Sequence, residues 1–149
     1  MDISCYHIVS FAVILVFSII LSVQDIKKMS VGIYIQCASI VCALLCQIIF
    51  IRLDVWIYLI SSLLFGALYF LIRKITKNKF GTGDVLFGFF QGLFLLPQLL
   101  PVCLGTETII ALCYIFIINK SNKKAPLPFI PFMATGLILS YIIQLIFFI

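Results

Sequence analysis

Asp25 and Asp84 are the residues in this sequence best suited to carry chemistry. Asp25 stands in Gln24-Asp25-Ile26-Lys27-Lys28, at the end of the first long apolar run, and Asp84 stands in Gly81-Thr82-Gly83-Asp84, directly before the fourth. Two carboxylates held close together cannot both ionise cheaply, so one pKa rises and the pair shares a proton. The ionised member can then take a proton from water while the protonated member polarises a peptide carbonyl. This is the arrangement of an aspartic protease, and it needs neither metal nor cofactor. Gly81 and Gly83 would bind substrate by letting its backbone approach the Asp84 carboxyl closely. The competing structural reading of the same string is a glycine-permitted turn followed by a helix, with Asp84 as its N-cap. A phosphate-cradling loop is disfavoured, because no Lys-Ser/Thr follows Asp84.

The elements that must bring these residues together are membrane helices. The chain has 149 residues, of which 64% are apolar and 10% charged, and its mean hydropathy is +1.30. Soluble domains carry about 25% charged residues, and one core could not hide this much apolar surface, whereas a bilayer accepts it. Six apolar runs are cut by charges, glycines and prolines: His7–Val23, Gly32–Ile51, Val55–Ile72, Val85–Leu100, Val102–Ile118 and Pro128–Ile149. They lack the ten-residue alternation of a membrane barrel. The fold class expected is therefore an all-α membrane protein, a polytopic bundle of six transmembrane helices, with residues 1–149 as a single domain. The first run has no basic segment before it and no small-x-small site after it, so it reads as a retained helix rather than a cleaved leader.

Loop charges orient the bundle. Loops one, three and five hold Lys27, Lys28, Arg73, Lys74, Lys77, Lys79, Lys120, Lys123 and Lys124, nine basic residues against Arg52 alone on the other side. The positive-inside rule puts those three loops in the cytoplasm and both termini outside, as expected for a multi-pass protein of the cell (plasma or inner) membrane. Asp25 and Asp84, 59 residues apart in the chain, then meet one cytoplasmic membrane face. The net charge of +5 is accounted for by topology, with no nucleic-acid partner implied and membrane lipid as the surroundings. Six cysteines without a C-x-x-C pair, and one His, do not compose a zinc site. Asp2 and Asp54 read as solvated ends, and Glu107 as lying near the external end of the fifth span, facing either the interface or the bundle. Gly88 and Gly92 form a G-x-x-x-G suited to close helix packing, within the bundle in preference to a homodimer. Gln91, Ser140 and Gln144 are candidates for hydrogen bonds between helices.

At these motifs the chain resembles the type IV prepilin peptidases and the related archaeal preflagellin peptidases, polytopic aspartyl proteases of the GxGD type. Asp25-Ile26-Lys27-Lys28 looks like the family's first-aspartate segment and Gly81-Thr82-Gly83-Asp84-Val85 like its second. Pro128-Phe129-Ile130-Pro131-Phe132, followed by Gly136, is similar to its Pro-Phe-x-Pro-Phe segment. The resemblance runs over nearly the whole chain and implies Asp25 and Asp84 as catalytic residues. The substrates it implies are prepilin-like precursors with hydrophobic N-terminal helices, cut after a Gly at the end of a short basic leader. Two positions depart from the family. Leu86 stands where a Lys is common, and Val31-Gly32-Ile33 where Ile-Pro-Asn is usual, which touches substrate contacts and subfamily. The cytoplasmic region with paired C-x-x-C motifs, associated with N-methylation of the product, is absent, so the resemblance implies a minimal peptidase without that activity. Presenilin-like proteases share the G-x-G-D string but fit less well, since Gln24 precedes Asp25 and Ala125-Pro126-Leu127 only scrambles their Pro-Ala-Leu. The rival class is a non-enzymatic helical bundle, a small transporter subunit or assembly factor, whose aspartates bind an ion or cap helices.

Overall fold

The computed structural model describes residues 3–51, 54–77, 81–118 and 128–147. Arg52, Lys79, Lys120, Lys123, Lys124 and Asp2 lie outside the described residues. The described chain is all helical: α1 (Ile3–Lys28), α2 (Ile33–Phe50), α3 (Val55–Ile75), α4 (Thr82–Gly92), a single 3-10 turn (Pro97–Leu99), α5 (Leu100–Ile118) and α6 (Ile130–Phe147). Five of the six α-helices are long and apolar enough to cross a membrane, α4 being the exception. Their outward faces are large and apolar, with Ile8, Trp56 and Phe116 each at least 70% exposed, which only lipid tolerates. The chain is an integral membrane protein.

The expected fourth span, Val85–Leu100, is where the structure departs from the sequence reading. Only the first part is α-helix, ending at Gly92, and eleven residues rise about 16 Å, half a bilayer core. The reason is local. Pro97 and Pro101 have no N–H to continue an α-helical ladder, and the residue before a proline is pushed out of the α region. Leu96 accordingly sits extended, at φ −67° and ψ 148°. A break at this depth strands backbone groups away from water, and glutamines from other helices meet them. Gln47 of α2 donates to the Leu93 carbonyl. Gln144 of α6 donates to the Phe94 carbonyl at 3.2 Å and accepts from the Leu96 N–H at 2.9 Å.

The short α4 is the hub of the bundle. It packs on α2, α3 and α6, while α1 packs on α2 and α6, and α5 on α6. Seven of its residues, from Asp84 to Gly92, are buried, and Phe87, Phe90 and the following Phe94 form the middle of the core with Phe65, Tyr69, Met133 and Tyr141. Gly88 and Gly92 face α3, the intramolecular alternative of the two. A Cβ on Gly92 would lie 2.4 Å from the Ser62 Cα, so the two backbones touch there. Gln91 does make hydrogen bonds between helices, Gln144 instead ties α6 to the segment that follows α4, and Ser140 is fully buried on α6.

Candidate active site

Three helix ends meet around Asp25 and Asp84. Asp25 lies in the last turn of α1, one turn before Lys28, and is 8% exposed. Its Oδ2 accepts the N–H of Ile130 at 3.1 Å, and the Phe129 N–H adds to the same carboxyl. Asp25 therefore serves the start of α6, a helix 105 residues away in sequence. The Pro-Phe-Ile-Pro segment makes this possible. Pro131 falls in the first turn of α6, where its missing N–H costs nothing, and the preceding N–H groups remain free to meet a carboxylate.

Asp84 is arranged in a parallel way on α4. The helix starts at Thr82, so Asp84 is its third residue and not the N-cap that the structural reading supposed. Its Oδ2 reaches back to the N–H of Gly81 at 3.0 Å, half of a capping box. Both carboxyls thus sit at the positive ends of helix dipoles, α6 for one and α4 for the other. Burial acts against them. For Asp84, desolvation pushes the carboxyl up from 3.8 to about 7; the Gly81 N–H opposes this, and the neighbouring Asp25 charge reinforces it. Asp25 is near enough for its charge to act on Asp84.

They open on one cavity of about 280 Å³. Its walls are Asp25 with the turn Met29–Val31, the string Gly81–Asp84, and Phe129 and Ile130 at the start of α6. A water occupies about 30 Å³, so the space admits several waters or a short run of peptide. All four sequence-derived site residues, Asp25, Asp84, Gly81 and Gly83, line it. The glycines, however, do not serve the turn by adopting left-handed backbone: no described glycine has positive φ, and Gly81 sits at φ −67°. A Cβ on Gly83 would stand in ordinary contact, 3.6 Å from the Val31 Cβ and the Gln36 amide nitrogen, so the absence of a side chain is not a packing demand.

Two further residues shape the site. Met29, directly after α1, takes φ 51° and donates its N–H to the Asp25 carbonyl at 2.8 Å. A side chain other than glycine in this region is strained by roughly 1 kcal/mol, and the bend turns Ser30 and Val31 onto the cavity wall. Gln36, buried in the first turn of α2, donates its side-chain amide to the carbonyl of Gly83 and so ties α2 to the G-x-G-D string. Nothing in the sequence marked Gln36, because its partner is 47 residues away. The prolines flanking Phe129 and Ile130 were the one visible sign of a helix start at that wall.

No protein-family model, curated protein or solved structure matches this chain.

Among the described residues no three His, Cys, Asp or Glu side chains converge in a way that would hold a metal. The polar residues lining the cavity include the two carboxyls, with Ser30 and Thr82 beside them, and a carboxyl pair can activate water and polarise a carbonyl.

Proposed function

We propose that this protein is a membrane aspartyl endopeptidase that removes a short basic leader from type IV prepilin-like precursors at the cytoplasmic membrane face. The observation that carries this reading is the convergence of Asp25 and Asp84, each bound to a helix N-terminus, on one shared cavity. In this reading the fourth of six crossings is Val85–Leu100, α4 beyond Asp84 with its irregular continuation. Both termini are outside, and the basic residues in the last turns of α1 and α3, Lys27, Lys28, Arg73 and Lys74, face the cytoplasm.

The chemistry balances on the two carboxyls alone. The ionised aspartate takes a proton from water as the water oxygen bonds to the scissile carbonyl carbon. The protonated aspartate gives its proton to the carbonyl oxygen. The diol then collapses: the aspartate that gave up its proton takes one back from a diol hydroxyl, the C–N bond breaks, and the proton taken from water passes from the other aspartate to the leaving nitrogen, which restores both carboxyls. Which aspartate begins protonated is a property of the pair. A peptide between a basic leader and a hydrophobic helix lies at the membrane surface by its own partitioning, and the cavity lies where α1 ends and α4 and α6 begin.

The test is co-expression with a reporter precursor: a short basic leader ending in Gly, followed by a hydrophobic helix of about 20 residues. Wild type releases the leader. Asp25→Asn and Asp84→Asn insert normally and release none. Cleavage that survives either substitution overturns the assignment.

A further inference from the structure

Glu107 is a third carboxyl, deep in the bundle and away from the cavity. Its side is the bundle interior: it is 1% exposed and sits seven residues into α5, about 10 Å from the helix start, rather than near the external rim. Its Oε1 accepts from Gln91 Nε2 at 2.6 Å and from Cys103 Sγ at 3.1 Å. Its other oxygen accepts from the Tyr69 hydroxyl. Gln91 donates as well to the Met133 carbonyl at 2.9 Å. Three helices, α3 to α5, are joined at this one carboxyl, and Gln91 carries the link on to α6. Two glycines make room for it: a Cβ on Gly136 would fall 2.3 Å from Glu107 Cγ, and one on Gly88 would fall 2.2 Å from the Tyr69 ring.

The cluster reaches Asp84 through α4. Gly88 and Gln91 stand four and seven residues beyond Asp84 on the same helix, about 6 and 10 Å along a rigid rod. The Tyr69 hydroxyl lies within electrostatic reach of Asp84. An eleven-residue helix broken by Leu93 cannot set its own depth by spanning the bilayer, as the longer helices can. It needs lateral anchors, and in an apolar bundle a polar side chain has few places where its hydrogen bonds are met. Gln91 has that place only at one depth and one rotation of α4.

We propose that Glu107 is a positioning residue. Acting through Tyr69 and Gln91, it holds α4 at the depth and rotation that set Asp84 against Asp25. This rests on the reading of Asp25 and Asp84 as the catalytic pair. A carboxyl suits the position because its two oxygens accept three donors, and a glutamine there keeps one oxygen for Gln91 and Cys103 while its N–H₂ can donate to the Tyr69 hydroxyl oxygen.

The experiment measures kcat and KM for the reporter precursor against pH, on purified full-length protein in lipid. The titratable groups that Asp84 feels are Asp25 and Tyr69. Glu107→Ala lowers kcat by about tenfold or more with KM within about threefold. It also moves the alkaline limb of the profile to lower pH, because a loosened α4 hydrates Asp84. Glu107→Gln recovers most of kcat and the wild-type limb. Tyr69→Phe keeps the ring on Gly88 and lowers kcat about three- to fivefold, with the limb moved the same way. A merely smaller folded fraction lowers the amplitude without moving the limb. The proposal is overturned by Glu107→Ala with an unmoved limb, by Glu107→Gln no better than Glu107→Ala, or by Tyr69→Phe indistinguishable from wild type. If Glu107→Ala does not reach the membrane, Tyr69→Phe alone decides. Cleavage that survives Asp25→Asn or Asp84→Asn sinks the catalytic pair itself. Loss in those two with normal Tyr69→Phe sinks only the role of Glu107.

Discussion

Two groups of carboxyls occupy this bundle under opposite conditions. Asp25 and Asp84 lie at an open cavity, each with few hydrogen-bond partners and each holding a helix start. Glu107 is sealed, with three side-chain donors around it and glycines trimmed to fit. Under-satisfied carboxyls beside a cavity are free to exchange protons and accept a substrate carbonyl. A carboxyl whose oxygens are fully engaged inside an apolar bundle is suited to hold helices in place. The same functional group thus separates into chemistry and positioning by environment.

The sharpest way to break this comparison is to make the same exchange of oxygen for nitrogen at both places. Asp25→Asn and Asp84→Asn each lower reporter cleavage by about a thousandfold or more, the scale of a lost proton-transfer group. Glu107→Gln stays within about fivefold of wild type in the same assay. Equal losses at all three positions would erase the distinction.

Glycine substitutions separate the regions next. Gly92→Ala forces a Cβ to 2.4 Å from the Ser62 Cα and should cost about 3 kcal/mol, the upper end for overpacking, read as a lower midpoint of unfolding in detergent. Gly83→Ala meets nothing within 3.6 Å and leaves stability within about 0.5 kcal/mol. Its effect falls on KM, because Gly83 lines the cavity proposed to take the substrate backbone. A Gly83→Ala enzyme with wild-type KM removes Gly83 from the substrate site.

Gln144→Leu tests whether the break after α4 depends on borrowed hydrogen bonds. It leaves the Phe94 carbonyl and the Leu96 N–H without their partner, at a cost of about 1–3 kcal/mol. Thermal unfolding midpoints of the wild type and the variant measure it, and an unchanged midpoint would mean that water or lipid headgroups supply those bonds.

The smallest expected effect concerns charge. The Asp84 carboxyl is raised from 3.8 to about 7, so the folded protein binds this proton more tightly than the unfolded chain. The stability it contributes is complete below about 4 and is lost as pH rises through about 7. Asp84→Asn keeps an oxygen for the Gly81 N–H but has no charge to bury. It should melt about 2–4 °C above wild type at pH 8 and level with it near pH 4. Cleavage by the wild type declines over the same rise through pH 7, as the shared proton is lost. A variant that melts below wild type at pH 8 would show that the ionised carboxyl is not under strain.

Much of this was legible in the residues. Six long apolar runs read as spans, five of which are helices long enough to cross a membrane, and the prolines at 97 and 101 could have foretold the fourth run's early stop. The G-x-G-D string and Asp25 were visible as candidates, and both line the cavity. The partners of the carboxyls were not visible. The Ile130 N–H that meets Asp25 is 105 residues away. Gln36, Gln47 and Gln144 are single polar letters in apolar text, and each acquires its use only from a backbone group on another helix.

The sequence by itself determined that the chain lies in a membrane and that two aspartates stand at helix ends. Hydropathy and charge are sums over neighbouring residues, which a bilayer reads directly. Only the tertiary structure decided that the aspartates share one cavity, that α4 stops half-way, and that Glu107 is interior. Those depend on which helix packs against which, and on where unmet backbone groups find donors across the bundle.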